Sequence, residues 1–333
     1  MSDVSAVCAA LRRGEILRHA DLSGMDFSGQ NLSGAVLEQC LLRGTCLDCC
    51  DLTGAVLRQC DCRQLHAEDC TWDEAQLQGG TWTEAVLSRA SMTRTRCTGV
   101  LFDGVDFSKA ALTAAELVGC EWHAAVLRES LWENVRAPRM LFEAADLTKI
   151  ICEACDFTEM RWQQCSGLLA MFFSCQLTGL HAAACTLPQA MMLDCALSGA
   201  VFSGGSWERA AFSRSDLSFS KNAGGTFERA HFDAAQLRGA RWPEACVPMA
   251  NFRGADLTGA DFSKADARMA QFSHAGITGA DFRQANFTQA DFHAVDWQHA
   301  DTGGALLTHT TFTDSALLRA ETFSPADVRL AWR

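Results

Sequence analysis

Ala250-Asn251-Phe252-Arg253-Gly254, Ala255-Asp256-Leu257-Thr258-Gly259 and Ala280-Asp281-Phe282-Arg283-Gln284 share one five-residue pattern: small, short polar, large apolar, then two turn formers. Extended in both directions, this frame places a centre at every fifth residue from Leu22 to Leu317, 60 positions of which all but ten are large and apolar. Leu fills 21 of them, Phe 17 and Trp 8, and Met92, Met192, Val247 and Ile277 follow. A period of five is neither the alternation of a half-buried strand nor the ~3.6 of an amphipathic helix. It suits a short extended stretch followed by a sharp turn, so four such sides close a square coil of 20 residues that hydrogen-bonds to the next. The centre and the small residue two places before it point inward, because a narrow lumen accepts one large and one small side chain per side. The remaining three positions face outward.

These pentapeptides resemble the pentapeptide-repeat family, whose consensus is A(D/N)LXX. The resemblance covers roughly nine tenths of the chain and implies an all-β, right-handed quadrilateral β-helix of about 15 coils, roughly 70 Å long at ~4.8 Å per coil. Residues 1–19 read as a capping helix and lead-in, 20–319 as the solenoid and 320–333 as a C-terminal helix. Ser2 is the expected N-cap of the first helix, with Val4, Val7, Cys8 and Leu11 on its apolar face. Ser324-Pro325 starts the second, with Phe323 and Val328 at staple spacing, either to cap the last coil or to join two protomers. No linker or charge run breaks the frame, which predicts a single elongated domain.

Turn chemistry supports the period. Gly clusters two residues after the centre, where a turn calls for positive φ, and Pro138, Pro188, Pro243 and Pro248 each sit one residue after a centre. The 17 cysteines obey the same frame: ten occupy the small inward site and Cys62, Cys97 and Cys152 are centres, so they read as small buried hydrophobes. Cys46-Leu47-Asp48-Cys49-Cys50 resembles a metal motif, but its cysteines point in different directions, and no metal or cofactor is expected. So many free thiols suit a cytoplasmic location, and no apolar run approaches the ~20 residues of a membrane span.

Chemistry-bearing motifs do not emerge. The nine His residues have no carboxylate or Cys partner at recurrent ligand spacing; His274 and His293 differ by about one turn, which allows them to lie near each other on adjacent coils, but both read as solvated surface residues. No phosphate loop or nucleophile elbow appears, and a filled lumen leaves no pocket for a small-molecule substrate. The reading is a non-enzyme. A net charge of −12 argues against direct nucleic-acid binding.

Function must then reside on the outward positions. Residues 20 apart stack, and the column Asn31, Asp51, Thr71, Ser91, Ala111, Leu131, Ile151, Met171, Met191, Ala211, His231, Asn251 is polar at both ends and apolar in the middle. Leu131, Ile151, Met171 and Met191, extended by Phe173, Leu193 and Leu169, form an outward apolar ladder fit for a protein partner or a second protomer. The competing reading is local packing, with the frame distorted around the side-chain-free centre Gly167 so that Leu168 or Leu169 fills the gap. A second surface is acidic: Asp261, Asp281 and Asp301 one coil apart on one side, with Asp256, Asp266, Asp291 and Asp296 on the others. Some proteins resembling this one modulate DNA gyrase by mimicking duplex DNA, so that surface carries the alternative reading; the competing one is that Asp before the centre serves local turn hydrogen bonds. Pentapeptide-repeat proteins also recur as secretion-system effectors or effector-loading adaptors, a further alternative. Ser220-Lys221-Asn222-Ala223-Gly224-Gly225 is the expected site of a local bulge.

Overall fold

The computed structural model describes residues 3–297 and 299–312. The chain divides into two compact units, Met1–Gly167 and Leu168–Arg333. Each is a parallel β-solenoid in which residue i pairs with residue i + 20, about 15 turns in total. The expected C-terminal helix at 320–333 lies outside the described residues.

One pentapeptide shows why the coil closes. In residues 250–254, the amides of Asn251 and Phe252 donate to Ala230 O (2.9 Å) and Gln271 O (2.7 Å), one coil on either side. Gly254, at φ +64°, donates to Ser273 O (3.0 Å), and Ala255 N returns to Phe252 O (3.0 Å). A positive φ at the third residue and a bond from the fourth back to the first make this a type II turn. Arg253 N, which the ladder does not use, is taken by the side chain of Asn251 (3.0 Å). The four amides from Asn251 to Gly254 are thereby all accounted for. The unused amide after the centre is also where all four in-frame prolines fit, because proline has no N–H to lose there.

Glycine is not required at the positive-φ corner. Ala114, Arg89 and Glu84 hold φ of 52°, 58° and 57°, and the amides of Arg89 and Glu84 donate to Ser108 O and Asp103 O on the next coil. The inter-coil ladder imposes the left-handed conformation that the side chain alone disfavours.

The sides fall into four faces by the 20-residue count. Face I carries the centres Leu22, Leu42 and onward, face II Phe27, face III Leu32, and face IV Leu17 and Leu37. Inside the second unit, Phe212, Phe232, Phe252, Phe272 and Phe292 of face III stack with centroid spacings of 4.6–5.1 Å and nearly parallel planes. That spacing is the coil repeat itself, so one aromatic column fixes the register of five turns. The inward cysteines are buried as expected. Several add a bond: the thiols of Cys50 and Cys70 donate to Phe27 O (2.9 Å) and Leu47 O (2.7 Å). Thr45 and Ser215 use hydroxyls in the same way, reaching Leu22 O and Met192 O.

The N-terminal helix runs Val4–Arg12 and buries Val7, Cys8, Ala10 and Leu11. Its N-cap is Asp3, not Ser2: the Asp3 carboxylate accepts from Ser5 N (3.0 Å) and Ser5 Oγ (2.7 Å). An acidic cap also faces the positive end of the helix dipole. The first strand, Ile16–Arg18, begins ahead of the expected solenoid boundary at residue 20.

Candidate interaction surface

The apolar column lies on the outside of face III, where the alternation of a strand puts the residues before and after each buried centre. In the first unit, Leu131 pairs in register with Ile151, and Glu133 with Glu153. Leu131 is 41% exposed and Ile151 half-buried. In the second unit, Met171 pairs with Met191 and Phe173 with Leu193, making a block of four large apolar side chains, each half-buried. Leu169 is the adjoining corner, at φ +58°, its amide donating to Pro188 O (3.3 Å). Ser174 and the Asp194–Arg214 ion pair (2.6 Å) rim the block. An apolar centre with a polar rim is the usual anatomy of a protein-binding patch.

The frame does not distort at Gly167. Gly167 keeps its place as a buried centre, and a Cβ there would stand 2.7 Å from the Leu147 carbonyl carbon, so the coil closes by drawing backbone against backbone. Leu168 stays outside, 43% exposed, and does not fill the lumen.

The acidic residues are placed in the stacks the repeat demands: Asp261 pairs in register with Asp281, and Asp281 with Asp301. Their side chains are largely committed. Asp256, Asp261, Asp281, Asp291 and Asp301 each accept the amide two residues on at 3.0 Å, the Asx turn that makes Asp and Asn common before a centre. Arg238 pairs with Asp256, Arg268 with Asp266 (2.7 Å) and Arg283 with Asp281 (2.6 Å). Hydrogen bonds from Arg268 and Arg283 hold the carboxyls of Asp266 and Asp281 below the usual range. Asp296 lies one residue before the buried centre Trp297.

Other motifs resolve locally. Asn222 remains a centre in register with Phe202, and its side chain bridges the following turn by donating to Gly225 O (3.1 Å) and accepting from Gly225 N (2.7 Å). His274 and His293 do meet, ring centroids 6.0 Å apart and nearly perpendicular, both exposed. Cys50 is buried, Cys46 half-buried and Cys49 exposed. Among the described residues, no cluster of three His, Cys, Asp or Glu is arranged to hold a metal ion, and no helix is long and apolar enough to cross a membrane.

The column reading missed the corners. Phe219 is 66% exposed, and Met249 and Met269, one coil apart, open onto a shallow cleft of about 400 Å³ with Pro248 and Arg268. A large apolar residue two places after a centre was the available signal, because that corner points outward at every turn.

A four-sided parallel solenoid with a filled lumen and a surface of short turns defines a repeat scaffold. The family model described as pentapeptide repeats matches 8 copies in it, across residues 20–59, 73–108, 250–289 and 285–320. The chain belongs to the pentapeptide-repeat family. Among solved structures it is similar to HetL, a pentapeptide repeat protein involved in heterocyst differentiation regulation from the cyanobacterium Nostoc sp. strain PCC 7120. The identity is 19% over 94% of this chain and 98% of that one, with a TM-score of 0.29. It is also similar to trypsin-treated QnrB1, a plasmid-mediated fluoroquinolone resistance protein (16% identity, 90% and 93% covered, TM-score 0.20). A pentapeptide repeat protein from the Arabidopsis thaliana thylakoid lumen is 32% identical over 35% of this chain and 65% of its own (TM-score 0.20). No curated protein matches the chain.

Proposed function

We propose that this protein is a non-catalytic scaffold that presents the face III apolar block, Met171, Phe173, Met191 and Leu193 with Leu169 at the corner, to a protein partner. The observation that carries the reading is the in-register pairing of four large apolar side chains on an outward face whose later turns hold Ala211, His231, Asn251, Gln271 and Asp291. Two pairs ~4.8 Å apart offer a flat apolar platform, and methionine adapts its shape to an incoming side chain. Leu131 and Ile151 of the first unit, flanked by Glu133 and Glu153, form a second apolar pair suited to a partner with basic groups nearby. The non-catalytic part is supported by the carboxylates of the outward faces, which are largely committed to local turns and ion pairs.

The test compares wild type with Met171→Asp/Met191→Asp. Asp belongs at this position of this face: Asp51 and Asp291 occupy the same column and bond the amides of Thr53 and His293. The double variant therefore folds while losing the platform. Affinity capture with cross-linking mass spectrometry is expected to return a partner that purifies separately, binds wild type directly and loses affinity by about 100-fold for the variant, as for removal of two buried apolar anchors. A partner bound equally by both proteins refutes the platform. If that partner is a topoisomerase, binding shifts to the acidic faces, the reading that the Asp261–Asp281–Asp301 stack favours.

A further inference from the structure

A different face of the second unit carries a charge order that repeats the sequence pattern of no other face. On face I, the outward column before the centres runs Val201, Lys221, Arg241, Asp261, Asp281, Asp301, each in register with the next. Lys221 and Arg241 are exposed, and neither forms an ion pair among the described residues. The acidic end carries three carboxylates against one guanidinium, since Arg283 serves both Asp281 (2.6 Å) and Asp301 (3.6 Å). At the far corner of the same face, Glu244 is followed one coil on by Lys264, 3.2 Å away.

We infer that face I of the second unit pairs with face I of a second copy of this chain, antiparallel, about a twofold axis between the coil of Arg241 and the coil of Asp261. A twofold axis lying along the strand direction keeps each column opposite itself and reverses the order of the coils. Arg241 then meets Asp261 of the second copy, Lys221 meets Asp281, and Glu244 meets Lys264, so every charge pair across the interface is of opposite sign. Moving the axis by half a coil, onto the coil of Asp261, sets Asp261 against itself. The register is therefore fixed by charge.

Shape agrees at the edge of this face. The corner column reads Gly199, Phe219, Gly239, Gly259, Gly279, and the Phe219 ring lies over Gly239, where a Cβ would come within 2.9 Å of Cε1. Phe219 is 66% exposed there. Under the same twofold, its ring faces Gly259 and Gly279 of the second copy. Nothing lies within 4 Å of a Cβ built at either glycine, so the edge has room for an aromatic ring. Six coils span about 24 Å along the face. That is small for a protein interface, so the association is weak, transient and sensitive to salt. This inference concerns a surface separate from the face III block and does not depend on it.

The experiment is sedimentation of the full chain at about 20 mM and about 500 mM salt, with Lys221→Glu/Arg241→Glu and Asp261→Lys/Asp281→Lys as charge-reversed variants, each checked for its native circular dichroism. Self-association at low salt is expected for wild type, weakened at least about tenfold in each variant and restored when the two variants are mixed. A zero-length carbodiimide cross-link between Lys221 and Asp281 supplies an independent readout. Within one chain these residues are three coils, about 14 Å, apart and cannot be joined. A chain that stays monomeric at both salts overturns the proposal, as does association that survives both reversals or a dimer without the Lys221–Asp281 link.

Discussion

Replacing Gly205 by Ala tests how tightly adjacent coils are bound to one backbone path. Gly205 sits at φ +84°, and a Cβ there would lie 2.1 Å from Cys185 O, 2.8 Å from its N and 3.0 Å from its C. Relief requires the coils to separate by about 1 Å, which weakens the bonds from Ser206 N to Cys185 O (2.8 Å) and from Thr226 N to Gly205 O (3.1 Å). Two weakened bonds cost about 2 kcal/mol, the overpacking 1–3 kcal/mol more, and the left-handed conformation about 1 kcal/mol, so roughly 4–6 kcal/mol together. Gly254→Ala is the control: φ is +64° with nothing within 4 Å of the added Cβ, and Ala114, Ala124 and Ala144 hold the same kind of corner at φ 52°, 48° and 52°. It costs only the conformational part, about 1 kcal/mol. Urea unfolding followed by fluorescence of the buried Trp207 and Trp242 measures both variants. If Gly205→Ala lies within about 1 kcal/mol of Gly254→Ala, the close backbone approach at Gly205 does not hold the two coils to one path.

Thiol labelling is expected to divide the cysteines by phase in the repeat: Cys49 reacts at once, Cys46 and Cys246 more slowly, and the buried ones only after unfolding. Burial pushes the Cys50 thiol up to about 11 and Cys70 to about 12, which adds a chemical barrier to the steric one. Rapid native labelling of Cys50 or Cys70, read by mass spectrometry of peptides, would contradict this. Stability is expected to be level between neutral pH and about pH 5 and to fall on further acidification. Arg63, Arg268 and Arg283 hold Asp61, Asp266 and Asp281 below their unfolded values, so the contribution is complete above the unfolded carboxylate range and lost as those groups take up protons. Asp281→Asn is expected to shallow that fall, and a melting temperature unchanged between pH 5 and pH 2.5 would rule out the linkage.

The solenoid was legible because five-residue periodicity is local information repeated 60 times: each centre, small residue and turn specifies its own side, and errors at Gly167 or Asn222 are outvoted by the neighbours. The direction of each inward cysteine and the Asx role of Asp and Asn followed from the same frame. The N-cap did not, because Ser2 and Asp3 are both good caps and only the backbone geometry, extended at Asp3, decides between them.

What the sequence determined by itself was therefore the architecture and which residues face out. The tertiary structure decided how those outward residues combine. It showed that positive φ at the corners is imposed by inter-coil hydrogen bonds and not reserved for glycine, and that Arg side chains already occupy much of the acidic surface. It also showed that Phe219 and Met269 stand clear of the surface while Met171 and Met191 lie half-sunk between neighbouring turns. Those outcomes depend on side chains 18 to 20 residues apart meeting across coils, where local periodicity places them but rotamers and ion pairs fix what remains exposed.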